Sequence, residues 1–227
     1  MVGCLLLHGF TASPLEVEPL KQYLETCGLY VIAPTLAGHG EDHQQTLENV
    51  VWQEWVKSAE EALIDLVARC DTVYVLGHSM GGLIAAYLAN RYPVQKLVLL
   101  SAAVFYINPK QMAKDLVEAL PALLHGEASN QYKRYRARIK ATPLRAVAQF
   151  RRLVRALKPE FAHIRIPTLI VHGGCDDIVD PKSAQYIYEQ IPIAEKHIHI
   201  LPQSKHIVCH DCERDELMAV VGQFLSA

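Results

Sequence analysis

The sequence predicts an α/β protein whose mostly parallel sheet is covered by helices on both faces. Short apolar runs without polar alternation recur along the chain, as expected for strands that are buried on both faces. Segments with helical periodicity separate these runs, so helices join successive strands. The chain of 227 residues is long enough for one substantial core and short for two full domains.

Strands and helices alternate regularly in the first half of the chain. Strands are predicted at 5–7, 29–33, 73–76 and 97–100, and helices at about 13–27, 47–69 and 83–92. The first helix has three agreeing start signals, with Ser13 at the N-cap, Pro14 at N1 and Glu16 at N3. Gly28 is typical of a residue that ends a helix.

The alternation stops between residues 105 and 161, where prolines punctuate helical pieces and no strand is indicated. Strands then return at 168–171 and 197–201, with helices at about 180–191 and 211–224. We therefore predict a core formed by 1–104 and 162–227, with a helical cap inserted at 105–161. Because ligands of parallel sheets lie beyond the carboxyl ends of the strands, this cap is expected to cover the site.

The predicted cap is rich in basic residues. Ten of them are Lys133, Arg134, Arg136, Arg138, Lys140, Arg145, Arg151, Arg152, Arg155 and Lys158. Three interpretations are open. The basic residues are a solvated helix face, they attract an anionic substrate, or they make weak contact with an anionic lipid surface. A nucleic-acid partner is not expected, because no recognition motif accompanies the run and the net charge of the chain is −2.

Composition favours a cytoplasmic protein without a metal. No apolar run approaches the length of a membrane span, and no leader pattern opens the chain, so reduced thiols are expected for its six cysteines. The run Cys209-His210-Asp211-Cys212 contains metal-ligand types, but the second ligand pair of a zinc site is missing at the usual spacing. We interpret it as the start of the last helix with two half-buried thiols.

The strongest chemical motif is Gly77-His78-Ser79-Met80-Gly81-Gly82. It follows a predicted strand and precedes a predicted helix, which is the context in which a Gly-x-Ser-x-Gly turn presents a nucleophilic serine. The glycines permit the close approach of strand and helix. The free N–H groups of the helix N-terminus can stabilise a developing oxyanion.

A nucleophilic serine requires a histidine base and a carboxylate that orients it, and both are expected after strands. Asp176 and Asp177 follow the 168–171 strand, and the residues alone leave the choice between them open. Asp180 is better explained as the N-cap before Pro181. His206 follows the 197–201 strand and is the best base candidate.

The other histidines near these motifs are weaker candidates. His197 and His199 alternate with isoleucines along a strand, which favours structural roles. His210 falls within the last helix. His78 adjoins Ser79, but its side chain is expected to turn away from the crevice and pack.

Five motifs together resemble the α/β-hydrolase superfamily. They are His8-Gly9-Phe10, Gly38-His39-Gly40, Gly77 to Gly82, Gly173-x-Cys175-Asp176-x-x-Val179 and Ser204-x-His206. Within the superfamily, the short cap and the opening Leu-Leu-Leu-His-Gly-Phe-Thr are most similar to bacterial carboxylesterases related to monoacylglycerol lipases.

The resemblance implies a serine esterase for small to medium acyl esters, with Ser79 as nucleophile and His206 as base. It implies Asp176 as the orienting acid, and the backbone N–H groups of Phe10 and Met80 as the oxyanion hole. No cofactor is implied. Monoacylglycerol lipase and acyl thioesterase activities remain alternatives, as does a hydrolase-fold binding protein without turnover.

The sequence departs from the family pattern in two places. Lys205 stands where the family usually has glycine before the histidine, which can alter the loop or bring a charge near the site. The chain starts at Met1 directly before the first leucine run, whereas the family usually has a strand or hairpin there. We therefore expect the sheet to be trimmed at one edge.

Overall fold

The computed structural model describes residues 1–40, 47–105 and 142–227. These residues form a six-stranded, fully parallel sheet in the order β2-β1-β3-β4-β5-β6. The strands are β1 (Val2–Leu7), β2 (Tyr30–Ile32), β3 (Thr72–His78), β4 (Lys96–Leu100), β5 (Thr168–Gly173) and β6 (Lys196–Leu201). The predicted strands and their parallel arrangement are confirmed.

Helices connect these strands. The α-helices in the described part of the chain are α1 (Glu18–Thr26), α2 (Trp52–Arg69), α3 (Met80–Ala89), α4 (Leu144–Leu157), α5 (Lys182–Gln190) and α6 (Arg214–Ser226). Short 3-10 turns lie at Pro14–Glu16, Lys158–His163 and Val208–His210.

The sheet separates two apolar cores because successive strand residues point to opposite faces. Leu5 and Leu7 of β1 face a core that contains buried residues of α2, α3, α4 and α5. Cys4 and Leu6 face the other core, which is closed by buried residues of α1 and α6. Burial on both faces explains why β1, β3, β4 and β5 are apolar almost throughout, whereas residues of the edge strands β2 and β6 are partly exposed.

The first helix differs from its prediction. Instead of one helix from Ser13, a 3-10 turn at Pro14–Glu16 precedes α1, and the Ser13 side chain makes no capping hydrogen bond. The Glu16 carboxylate turns inward, where it accepts a hydrogen bond from the Gly9 N–H at 2.7 Å. The prediction that Glu16 is the N3 residue of a helix capped by Ser13 is therefore wrong. Gly28 does end α1, with a φ of 85°.

Two other helices begin later than predicted. The long helix α2 starts at Trp52 rather than near residue 47, because Val51 is extended and its N–H donates to the Glu54 carboxylate at 2.9 Å. The last helix starts at Arg214 rather than near residue 211. The 3-10 turn at Val208–His210 occupies part of the preceding segment.

Most of the predicted cap, residues 106–141, lies outside the described residues, so the division into core and cap stays a prediction. Helix α4 falls within the predicted cap boundaries, and its buried residues, which include Phe150 and Leu153, pack into the same core as α2 and α3. Its basic side chains Arg145, Arg151, Arg152 and Arg155 are exposed. Lys158 lies over the Phe105 and Tyr186 rings.

Candidate active site

Ser79 lies at the sharp turn between β3 and α3, with φ 54° and ψ −115°. This conformation is sparsely populated for a residue with a side chain, and it is held by backbone contacts on either side. The Ser79 N–H donates to the Leu100 carbonyl at 2.8 Å, and the Ser79 carbonyl accepts from the Gly82 N–H at 3.1 Å.

Glycine at position 77 is required by the close passage of α3. A Cβ atom added there would collide with the carbonyl group of Gly81, which is backbone and cannot swing aside. A Cβ atom at Gly81 would lie 2.6 Å from the Leu7 carbonyl oxygen of β1. Both glycines of the predicted motif therefore allow the close packing of strand, turn and helix that holds the serine at the turn.

The structure brings Ser79, His206 and Asp176 into one hydrogen-bonded row. Nε2 of His206 lies 3.0 Å from Oγ of Ser79, and Nδ1 of His206 lies 2.8 Å from Oδ2 of Asp176. All three side chains are buried or nearly so, although they are far apart in sequence. The arrangement can transfer a proton from the serine hydroxyl to an imidazole whose orientation a carboxylate fixes.

Asp176 is held as a carboxylate by several donors. Its Oδ1 atom accepts hydrogen bonds from the N–H groups of Ile178 at 2.9 Å and Val179 at 2.8 Å. Burial alone would raise the pKa of Asp176, but the charges and hydrogen bonds of His206 and His172 hold that pKa well below its ordinary value.

His172 is a neighbour of the acid that the sequence did not single out. Its Nε2 atom lies 3.2 Å from Oδ2 of Asp176 and 3.3 Å from the Val179 carbonyl oxygen. Since both neighbours are acceptors, Nε2 must carry the proton. The position of His172 at the end of β5, four residues before Asp176, is the signal that could have indicated it.

The other acids and bases considered from the sequence make different contacts. Asp177 is half-buried beside Asp176, and burial raises the pKa of its carboxyl group. The N-cap of α5 is Pro181 rather than the predicted Asp180, but the Asp180 side chain accepts the Lys182 N–H in the first turn at 3.0 Å. His199 on β6 contacts the Glu216 carboxylate of α6 at 2.8 Å. His210 contacts the Leu15 carbonyl oxygen at 2.9 Å.

The loop that carries His206 is held by hydrogen bonds to two acidic residues that follow it in the chain. Ser204 donates to the Glu213 carboxylate at 2.7 Å, and the Lys205 N–H donates to Asp211 at 2.6 Å. A Cβ atom at Gly173 would collide with the carbonyl oxygens of Ser204 and Lys205, so this glycine lets β5 approach the loop. Lys205, which stands where the family usually has glycine, is exposed.

The predicted oxyanion donors lie on two elements. Met80 is the first residue of α3, and Phe10 follows β1. The first N–H groups of a helix have no acceptor within the helix, so the Met80 N–H is of the kind that can donate to an oxyanion. The ring of Phe10 stacks on that of Phe150 from α4, with centroids 4.8 Å apart and planes at 7°.

His8 fixes the start of the loop that carries Phe10. Its Nε2 atom accepts the Leu36 N–H at 3.1 Å, so the proton resides on Nδ1, which donates to the Gly9 carbonyl oxygen at 2.8 Å. Burial lowers the pKa of His8. The sequence identified this histidine only as part of a motif.

The interpretation of Cys209 to Cys212 as a helix start with two half-buried thiols is wrong, because the run precedes α6, which begins at Arg214, and neither thiol is half-buried. Cys209 is buried and Cys212 is exposed. Both oxygens of Asp211 accept backbone N–H groups, those of Lys205 and Cys212.

Within the described residues, no helix is long and apolar enough to cross a bilayer.

Taken together, the parallel sheet, the strained serine turn and the Ser79–His206–Asp176 row define a serine hydrolase of the α/β-hydrolase fold. Residues 3–213 match the family model described as serine aminopeptidase, S33, and the chain belongs to that family. The expected superfamily and fold are therefore confirmed.

Curated relatives include lipases and esterases. A thermostable monoacylglycerol lipase of Bacillus sp. (strain H-257) is 31% identical over 94% of this chain and 86% of its own. A carboxylesterase of Bacillus subtilis (strain 168) is 24% identical over 97% and 91% of the two chains. A solved structure of a metagenome-derived lipolytic enzyme shares the fold, with a TM-score of 0.80, 22% identity and coverage of 100% of this chain and 94% of that one.

Proposed function

We propose that this protein is a carboxylester hydrolase for small to medium acyl esters that works through a covalent acyl-enzyme. The observation that carries the proposal is the hydrogen-bonded row from Ser79 through His206 to Asp176. The names of its relatives, a monoacylglycerol lipase and a carboxylesterase, support ester substrates. No cofactor enters the proposed reaction.

The proposed reaction starts with attack of Ser79 Oγ on the ester carbonyl carbon while Nε2 of His206 takes the hydroxyl proton. The Asp176 carboxylate holds the proton on Nδ1 and stabilises the imidazolium that forms. The N–H groups of Phe10 and Met80 donate to the tetrahedral oxyanion, each worth about 3 kcal/mol in the transition state. The C–O bond of the leaving group then breaks, and His206 protonates the alcohol.

Hydrolysis of the acyl-enzyme repeats these steps with water. His206 takes a proton from the water as its oxygen attacks the acyl carbon. Collapse of the second tetrahedral intermediate breaks the bond to Oγ, and His206 returns its proton to Ser79. The acid product leaves with the serine and histidine restored.

A chain-length series tests this proposal. Turnover of p-nitrophenyl esters is compared with that of a monoacylglycerol, an acyl thioester and an aminoacyl amide, the last because the family description names an aminopeptidase. We expect ester hydrolysis to dominate, and Ser79→Ala to reduce it by at least about 10³-fold. Ser13→Ala is the matched control, since the Ser13 side chain makes no capping bond.

Three results would count against the proposal. Amide turnover above ester turnover would indicate a peptidase, and a thioester preference would replace the ester assignment. Ester binding without turnover would indicate a binding protein. A maximum on the monoacylglycerol would narrow the proposal to the activity named for the Bacillus sp. relative. The proposed cytoplasmic location rests on composition alone.

A further inference from the structure

A second carboxylate–imidazole pair, formed by Glu16 and His78, is buried behind the row of Ser79, His206 and Asp176. Oε2 of Glu16 lies 3.0 Å from Nδ1 of His78, and the two side chains are only 8% and 1% exposed. The His78 and His206 rings are neighbours, with centroids 4.9 Å apart. The proposed reaction uses neither Glu16 nor the His78 side chain.

Both ring nitrogens of His78 face acceptor atoms. Nδ1 faces the Glu16 carboxylate, and Nε2 lies 2.9 Å from the carbonyl oxygen of His206. An imidazole satisfies two acceptors only when both nitrogens carry protons, so the contacts require an imidazolium. Burial alone would lower the pKa of His78, but Glu16 raises it above its ordinary value, and the pKa of Glu16 falls to about 2.

The pair joins three separate segments of the active site. Oε2 of Glu16 accepts the Gly9 N–H, next to the oxyanion donor Phe10. His78 directly precedes Ser79. Nε2 of His78 holds the carbonyl group of His206 itself. The turn at Ser79, the loop with Gly9 and Phe10 (the oxyanion loop) and the loop that carries His206 are therefore joined by one ion pair.

Other ionisable groups surround the pair. His8 faces both Glu16 and His78 from the end of β1, and burial keeps the pKa of His8 low. The Cys209 thiol faces Glu16, and burial raises the pKa of that thiol. Asp176 adds negative charge on the side of His206. Glu16 is the acid in direct contact with His78 among the described residues.

We propose that Glu16 and His78 form a positioning pair that fixes the oxyanion loop and the backbone of His206 relative to Ser79. The inference rests on the proposed serine-esterase function and assigns its residues no contact with the substrate. It implies that the charge on His78, not only the shape of the pair, is needed for a high kcat.

Glu16→Gln isolates this charge because glutamine has nearly the same shape. Its single side-chain oxygen can accept both the Gly9 N–H and Nδ1–H of His78 as long as His78 is protonated. Without the carboxylate, the burial that lowers the pKa of His78 is opposed only by the smaller effects of the His206 carbonyl group and the Asp176 charge, so the pKa of His78 falls. A neutral His78 must then abandon one of its two acceptors, so the variant is expected to lose activity progressively as the pH rises.

The experiment measures kcat and KM of wild type and Glu16→Gln on one p-nitrophenyl ester across neutral and alkaline pH. The ratio of the variant kcat to the wild-type kcat should fall about fivefold or more as the pH rises, with KM within about twofold. Active-site titration gives the concentration of folded, active enzyme by which each rate is divided. Glu18→Gln, which neutralises a half-buried glutamate at the start of α1, is the matched control and should give a pH-independent ratio near unity.

The double variant Glu16→Gln/His78→Leu removes the titrating ring and leaves no buried charge unpaired. We expect its kcat ratio to be low and independent of pH, because the His206 carbonyl has lost its donor. If Glu16→Gln does not fold, this double variant tests the positioning role on its own. A double variant with wild-type kcat, or with the same pH slope as Glu16→Gln, would overturn the proposal, as would a pH-independent ratio for Glu16→Gln.

Failure of the positioning pair is distinguishable from failure of the proposed function. If Ser79→Ala is inactive while Glu16→Gln matches wild type at every pH, only the positioning role is wrong. If Ser79→Ala retains esterase activity, the serine-esterase function itself is wrong, whatever the behaviour of Glu16→Gln.

Discussion

Nδ1 of His206 lies 2.8 Å from Oδ2 of Asp176, across thirty residues of sequence. This contact places the ring proton on Nδ1 and leaves the lone pair of Nε2 directed at Ser79 Oγ, 3.0 Å away. The tautomer that can accept the serine proton is therefore set before a substrate arrives.

Asp176→Asn is expected to be far more damaging than Asp177→Asn. An amide at position 176 can present its NH₂ group to Nδ1 and stabilise the wrong tautomer, which costs about 10⁴-fold in kcat in a serine protease with the same kind of triad. Asp177 has no contact with His206 comparable to that of Asp176, so its substitution should change kcat by no more than about threefold. Steady-state kinetics on a p-nitrophenyl ester measure both, and the reverse ranking would identify Asp177 as the acid.

Gly77→Ala is expected to prevent folding or to lower the free energy of unfolding by more than about 3 kcal/mol. The added Cβ atom would collide with the Gly81 carbonyl group, which is fixed in α3. Gly28→Ala provides the comparison, because Gly28 has a φ of 85° but open space around it, and strain alone should cost about 1 kcal/mol. Urea unfolding of both variants checks the difference, and a wild-type midpoint for Gly77→Ala would contradict the packing argument.

The Glu16–His78 pair should stabilise the protein most between about pH 4.5 and pH 6.5, the ordinary pKa values of the two groups. The depressed pKa of Glu16 means that its contribution is present above pH 4.5 and is lost as the pH falls to about 2. The raised pKa of His78 means that its contribution is complete below pH 6.5 and is lost as the pH rises through the folded-state pKa.

Urea unfolding of wild type and Glu16→Gln/His78→Leu tests this stability profile. The difference in the free energy of unfolding should be most in favour of wild type within that interval and should decline on either side by on the order of 1–3 kcal/mol. A difference that stays constant from acid to alkaline pH would show that the two groups are not an ion pair.

Neutralising Arg151, Arg152 and Arg155 on the exposed face of α4 separates the interpretations of the basic segment. The three residues are exposed, which favours the solvated face. We therefore expect Arg→Gln at the three positions to leave KM for a neutral ester and binding to anionic vesicles unchanged. A salt-dependent rise in KM for an anionic ester, or weaker vesicle binding, would instead support recognition of an anionic substrate or surface.

Much of the fold could be predicted from local sequence signals. The parallel sheet follows from uninterrupted apolar runs such as Leu97 to Leu100, and the serine turn follows from Gly77 and Gly81, whose lack of Cβ atoms the packing requires. The proximity of Ser79, Asp176 and His206 follows from the rule that the carboxyl ends of parallel strands meet at one edge. These features depend on residue types and order alone.

The pair of Glu16 and His78 could not be predicted in the same way. A glutamate three residues after Ser13 has the sequence signature of a helix cap, and only the tertiary fold shows its carboxylate pointing at Gly9 and His78. Long-range polar contacts of this kind have no periodicity that a single sequence can display. His172 differs, because it lies only four residues before Asp176 at the end of β5, and that position could have indicated the contact.

The central claim is that Ser79 is the nucleophile of an acyl-enzyme mechanism, and covalent labelling tests it most directly. The protein is incubated with a fluorophosphonate, esterase activity is followed in parallel, and the modified peptide is identified by mass spectrometry. We predict one adduct per chain, on Ser79, with activity lost in proportion to labelling. Activity that persists in fully Ser79-labelled protein, or that is lost through an adduct on another residue while Ser79 stays unmodified, would contradict the claim.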